Sequence, residues 1–192
     1  MFKKLYQFSA VFLLATIVAH GQSSGSGEFR FGAKAGFNAS KLNGDAIYSY
    51  DVKPGFHIGV AMEIPASDAF IVQPEILISL QGSGGYFQND LNLWYLNVPV
   101  MLKFNIFDEV YLEAGPQIGM LISDNLEGNR FGLEPSADQS SNGFDIGLGV
   151  GAGYRMDENF YFQLRYNVGI INAIEDISSK NRVLQISAVY FL

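Results

Sequence analysis

From Phe29 to the C-terminus, side chains fall into two unlike rows at period two over runs of about ten residues, the period of a β-strand with two unlike faces. In the first run Phe29, Phe31, Ala33, Ala35 and Phe37 share one face, while Arg30, Lys34 and Asn38 share the other with glycines between them. The same split recurs over 56–64, 70–79, 94–104, 110–120, 144–155, 160–170 and 184–192, which predicts eight strands. No later stretch keeps a helical period, and none is apolar for long enough to cross a bilayer as a helix.

Across the eight apolar rows there is no Asp, Glu, Lys or Arg. The opposite rows hold nine: Arg30, Lys34, Glu63, Glu75, Lys103, Glu113, Asp145, Arg155 and Arg165, close to neutral in sum. A soluble sandwich or barrel would turn its apolar row inward and scatter charge outside. Here the apolar rows are large and carry aromatics at both ends, whereas the polar rows combine glycine with balanced charge, the pattern of a barrel with a lipid-facing outside and a small polar lumen. Link lengths agree. Short turns at 65–68, 106–109 and 155–159 alternate with longer links at 39–54, 81–90, 123–142 and 172–181, as periplasmic turns alternate with external loops. The expected fold is all-β, an eight-stranded antiparallel up-and-down transmembrane β-barrel over 28–192, embedded in the outer membrane.

Composition sharpens this. Of 192 residues, 16% are charged against roughly 25% in an ordinary soluble domain, and one face reserved for lipid accounts for the deficit. The net charge of −7 argues against a nucleic-acid partner. With no cysteine, disulfides, thiolate metal sites and cysteine nucleophiles are excluded. Lys3 and Lys4, the apolar run Ala10–Ala19 and small residues before Gln22 read as a signal peptide over 1–21, followed by a flexible lead-in, QSSGSG, at 22–27. The remaining acids concentrate at the water-facing rims. Asp68, Asp108, Glu109, Asp157 and Glu158 sit at the short turns, where Asp is a good turn former and the dense spacing of a calcium loop is missing.

Several segments together resemble the PorT-like outer membrane β-barrel family of Bacteroidetes. They are FGAKAGFNAS at 31–40, the hairpin at 55–79, YLNVPVMLKF at 95–104, EAGPQIGMLIS at 113–123, FDIGLGVGAGYRM at 144–156, and FQLRYNVGIIN followed by NRVLQISAVYFL at the C-terminus. The resemblance implies a small closed barrel with both ends in the periplasm. It also implies assembly by the outer membrane insertion machinery, which reads a last strand ending in aromatics, here Tyr190, Phe191 and Leu192, with Leu in place of a final Phe. Three prolines of that pattern, Pro74, Pro99 and Pro116, fall inside strands and are expected to mark bulges, because proline cannot donate to a ladder.

The lumen offers little for catalysis. His57 is the only histidine beyond the leader, no strand supplies a serine beside it, and the carboxylates are better read as ion-pair partners of the lumenal cations. GLGVGAG at 147–153 superficially matches a dinucleotide fingerprint but lies in an alternating strand with no helix after it; its glycines make room for Arg155, Tyr111 or Arg165. No cofactor, metal or enzymatic activity is expected. Because side chains fill an eight-stranded barrel, a wide pore is excluded. The expected role is that of a monomeric membrane-embedded scaffold or interaction protein that meets a protein partner through external loops carrying Tyr48, Tyr50, Tyr86, Phe87 and the acidic stretch at 123–142. A narrow solute channel is the alternative, and a soluble lipocalin-like binder the outsider.

Overall fold

A computed structural model describes residues 28–44, 52–67, 69–83, 90–127, 144–174 and 177–192. The eight strands are β1 (Arg30–Gly44), β2 (Lys53–Pro65), β3 (Phe70–Ser83), β4 (Asp90–Phe107), β5 (Val110–Glu127), β6 (Phe144–Arg155), β7 (Phe160–Ile174) and β8 (Ile177–Phe191). Each pairs antiparallel with its sequence neighbour, and β1 closes on β8 to complete a barrel. The leader, the lead-in, Asp68, Tyr48, Tyr50, Tyr86, Phe87 and 128–142 lie outside the described residues.

The period-two pattern maps onto the wall as expected. Phe37, Val60, Val150 and Ile186 point outward and are exposed, whereas Lys34, Glu75, Lys103 and Arg165 point inward and are buried. The barrel is therefore inverted relative to a soluble protein, its interior polar and its exterior apolar. Aromatic pairs mark both ends of the outer face. Phe160 with Tyr190 and Phe70 with Phe104, each at 5.0 Å between centroids, stand near the short turns, and Phe56 with Trp94 at 5.6 Å stands toward the longer links.

The strands are longer than the apolar runs that announced them, at 12 to 18 residues. Most of the added length lies on the long-link side, at the ends of β1, β3, β5 and β7 and the starts of β2, β4 and β8, while β4 also gains 105–107 at its short-turn end. Ladder hydrogen bonds need only backbone, so pairing continues where the wall no longer requires an apolar face. The fourth expected long link, 172–181, shrinks accordingly: Ile174 pairs with Ile177. Lys41, Lys180 and Arg182 thereby join the outward rows, which the shorter strands had left free of charge.

The prolines are not bulge sites. Register is the same on both sides of Pro74, Pro99 and Pro116, and each leaves a gap only in the ladder to the preceding strand, while pairing to the following strand includes the proline itself. In an antiparallel sheet a residue aims its N–H and C=O at one neighbour only, so a missing N–H weakens one seam and spares the other. The register shifts of β4 with β5 lie instead at Trp94/Tyr95 and Asn105/Phe107, and those of β7 with β8 beyond Val168.

At the short-turn rim, Asp157 Oδ1 accepts from the backbone N–H of Asn159 (2.8 Å) and Phe160 (2.7 Å), the turn-forming role expected of the rim acids. The C-terminal residues divide their faces. Tyr190 points outward, Phe191 is buried beneath the Arg30 guanidinium (4.9 Å), and the Leu192 N–H donates to Phe31 O (2.8 Å).

Candidate functional site: the lumen

Inward-facing positions on seven strands converge into one cross-linked plug. Nearest the short turns, Glu63 on β2 accepts from Lys103 Nζ of β4 (2.7 Å) and Arg155 Nη2 of β6 (2.7 Å), with Arg30 Nη1 of β1 at 3.5 Å. Lys103 Nζ also donates to Gln73 Oε1 (2.9 Å) and rests 3.3 Å from the centroid of Tyr161, which itself meets Tyr111 edge to face. One layer further in, Glu75 on β3 accepts from Lys34 Nζ (2.8 Å), from both terminal nitrogens of Arg165 (3.0 and 2.8 Å) and from Gln73 Nε2 (2.6 Å). Arg165 Nη2 reaches on to Glu113 Oε2 (2.7 Å), and Glu113 also accepts from Tyr161 Oη and Gln163 Nε2. These bonds join strands on opposite sides of the barrel, and every carboxylate in them faces at least one cation within hydrogen-bond distance, the arrangement that buried charge requires.

Eight of the nine lumenal charges expected from the alternation join this network. The ninth, Asp145, is buried in the half toward the longer links and forms no ion pair among the described residues. A tenth charge, Lys53, is also buried in that half. It was hidden because the apolar alternation begins only at Phe56, although the pairing of Ser40 with Lys53 carries the inward row that far.

The half toward the longer links is built from neutral polar groups. Asn38 Nδ2 donates to Phe56 O, Leu80 O and Ser79 Oγ, Asn167 Nδ2 donates to Gln185 Oε1, and Asn181 Nδ2 donates to Gln81 Oε1. Gln117 Oε1, Asp145 Oδ1, Asn167 Oδ1 and Asn181 Oδ1 have no protein partner, and buried oxygens of this kind are ordinarily met by water. This half is therefore suited to hold water among neutral groups, whereas the half nearer the short turns is cross-linked by ion pairs.

The expectation that no serine stands beside His57 is wrong. His57 Nε2 lies 2.9 Å from Ser187 Oγ, and Nδ1 lies 2.8 Å from Asn38 Oδ1. Asn38 Oδ1 also accepts from Gln185 Nε2, so Nδ1 carries the ring proton and Nε2 accepts from the Ser187 hydroxyl. The contact was illegible because it spans 130 residues and depends on the β1–β8 closure. Its order, Ser–His–Asn, is that of an acyl-transfer triad. What it lacks is an oxyanion hole: Ser187 lies in mid-strand, paired on both sides, in a wall whose ladders engage the N–H groups. Serine, histidine and asparagine are also each buried. The expected result with a serine-directed fluorophosphonate is that Ser187 stays unlabelled in the folded protein; stoichiometric labelling abolished by Ser187→Ala would assign it as a nucleophile.

The glycines of 147–153 are spacers rather than a nucleotide loop. A Cβ on Gly153 would lie 1.9 Å from Tyr161 Oη, so the hydroxyl end of that tyrosine occupies the space a side chain would need; Gly149 and Gly151 lie against Arg165. Among the described residues no group of three His, Cys, Asp or Glu is placed to hold a metal ion.

Known proteins share this architecture. Neisserial surface protein A matches with a TM-score of 0.54 at 12% identity, covering 83% of this chain and 96% of that one. Ail of Yersinia pestis, in complex with the heparin analogue sucrose octasulfate, matches with a TM-score of 0.53 at 16% identity, covering 86% of this chain and 100% of that one. The outer membrane protein AlkL in DMPC lipid bilayers matches at 0.51 and 13% identity, over 89% and 93%. At such identities the likeness is one of fold, and no curated protein sequence matches the chain. The outer membrane protein beta-barrel domain model matches residues 20–175, which accounts for the exposed apolar belt as the surface facing the lipid bilayer. The chain belongs to the outer membrane protein β-barrel domain family.

Proposed function

We propose that this outer membrane barrel is a membrane-embedded scaffold or accessory protein of the PorT-like kind, monomeric in the membrane, without enzymatic activity, and engaging a protein partner through its external loops. One observation carries the reading: the Glu63 and Glu75 ion-pair layers cross the lumen between β1, β2, β3, β4, β6 and β7 and set buried charge-assisted bonds across the axis. A protein whose interior is spent on cross-links acts by its rims. Delivery would use the insertion machinery, with Tyr190, Phe191 and Leu192 as the C-terminal assembly signal.

Two measurements test this. In planar bilayers the purified protein is expected to give no reproducible conductance steps; reproducible steps would carry the channel reading instead. Crosslinking and pull-down from detergent-solubilised outer membrane is expected to recover a defined protein partner in stoichiometric yield, lost when 128–142 is replaced by a glycine-serine link; recovery of the barrel alone would sink the scaffold role.

A further inference from the structure

The outer wall has one feature that neither a filled lumen nor loop contacts explain. Among the residues whose side chains are described, every Lys and Arg on the outward face lies at one place, the β1–β8 seam beyond the apolar belt: Lys41, Lys180 and Arg182. Lys41 and Arg182 are direct cross-strand partners, and Lys180 is the next residue on the Arg182 face. Their Cβ atoms therefore sit within about 5–8 Å of one another, close enough to share one anionic group. None of the three forms an ion pair with a described residue. Among the residues whose side chains are described, the exposed acids stand at the opposite rim: Glu28, Asp108, Glu109, Asp157 and Glu158. Like charges placed directly opposite on a ladder cost stability unless something anionic covers them.

Height supplies the second argument. On the outer row of β8, Tyr190 marks one edge of the apolar belt and Arg182 follows eight residues later. At a rise of ~3.4 Å per residue and a tilt of ~40°, Arg182 stands about 21 Å from Tyr190 along the membrane normal, near the far edge of a lipid-facing band about 25 Å tall. Headgroup phosphates meet the wall at that level.

We infer that Lys41, Lys180 and Arg182 form a binding site on the barrel exterior for the phosphorylated headgroup of an anionic lipid in the leaflet on the long-link side. The Arg182 guanidinium supplies planar paired donors for phosphate oxygens, the two ammonium groups flank it, and Phe37 and Ile186, below on the same faces, receive the acyl chains. This site is independent of the scaffold reading, because it needs only the barrel in its bilayer.

The test is native mass spectrometry of the full barrel released from micelles, titrated with bisphosphorylated lipid A, with the same lipid after removal of its phosphates, and with inorganic phosphate as competitor. The wild-type protein is expected to retain the phosphorylated lipid selectively. Each of Lys41→Gln, Lys180→Gln and Arg182→Gln is expected to weaken retention about fivefold, and the triple variant about a hundredfold. Lys41→Arg with Lys180→Arg should retain the lipid, and inorganic phosphate at millimolar concentration should not displace it. Equal retention of both lipids by the wild type, an unchanged triple variant, or displacement by inorganic phosphate would each overturn the assignment. The heat-dependent gel shift reports folding of every variant, and the charge-preserving pair keeps the test decisive where the triple variant fails to fold.

Discussion

Replacing Glu75 by alanine is expected to lower the stability of the folded barrel by about 3–5 kcal/mol, read as a fall in the urea midpoint of the gel-shifted species in lipid vesicles. Glu75 alone accepts from Lys34, from both terminal nitrogens of Arg165 and from Gln73, all buried. Its removal leaves two cations facing each other with only Glu113, on the Arg165 side, to offset them. The size of the loss reflects stranded charge rather than the net worth of the ion pair. The double variant Lys34→Met with Glu75→Leu removes one charge of each sign, keeps the Arg165–Glu113 pair, and is therefore expected to lose less than Glu75→Ala alone. Equal losses would show that the network acts through packing volume and not through charge.

Introducing arginine at Val150 is expected to destabilise the barrel by about 2–4 kcal/mol, while arginine at Tyr154 on the same strand face costs about 0–1 kcal/mol. Both side chains point outward and both are about half exposed. They differ in depth: Val150 lies in the middle of β6, and Tyr154 lies at its short-turn end. In a water-soluble barrel the two substitutions would be equally mild, because exposed positions of similar accessibility face the same solvent. A steep depth dependence in reversible unfolding from vesicles is thus a direct reading of the bilayer around this wall, and equal effects would contradict the lipid-facing belt.

Much of the lumen was legible along the chain because a strand turns its side chains by half a revolution per residue whatever its neighbours are. Arg30, Lys34, Glu63, Glu75, Lys103, Glu113, Asp145, Arg155 and Arg165 all sit on the inner face as the alternation requires. The alternation carried no information about which cation meets which carboxylate. Arg165 and Glu75 are 90 residues apart, and Arg155 and Glu63 are 92 apart; such pairs exist only once β2 and β3 stand across a closed ring from β6 and β7. Lys53 and the Ser187–His57 contact escaped for related reasons, the first because its neighbours carry no apolar rhythm, the second because it straddles the seam where the last strand returns to the first.

The prolines separate the two kinds of information most clearly. That proline cannot donate to a ladder is a local fact, and the sequence alone establishes that three strands carry that defect. Whether a defect becomes a bulge or a silent gap depends on which neighbour the missing N–H faces and on whether the next seam holds the register, and the closed barrel holds it on the other side of each proline. In the same way the sequence by itself determined the faces: an outside free of charge through the apolar belt and an inside of nearly balanced charge. Ring closure decided the partners, because only a sheet without edges brings β1 beside β8, setting Lys41 next to Arg182 outside the wall and His57 next to Ser187 within it.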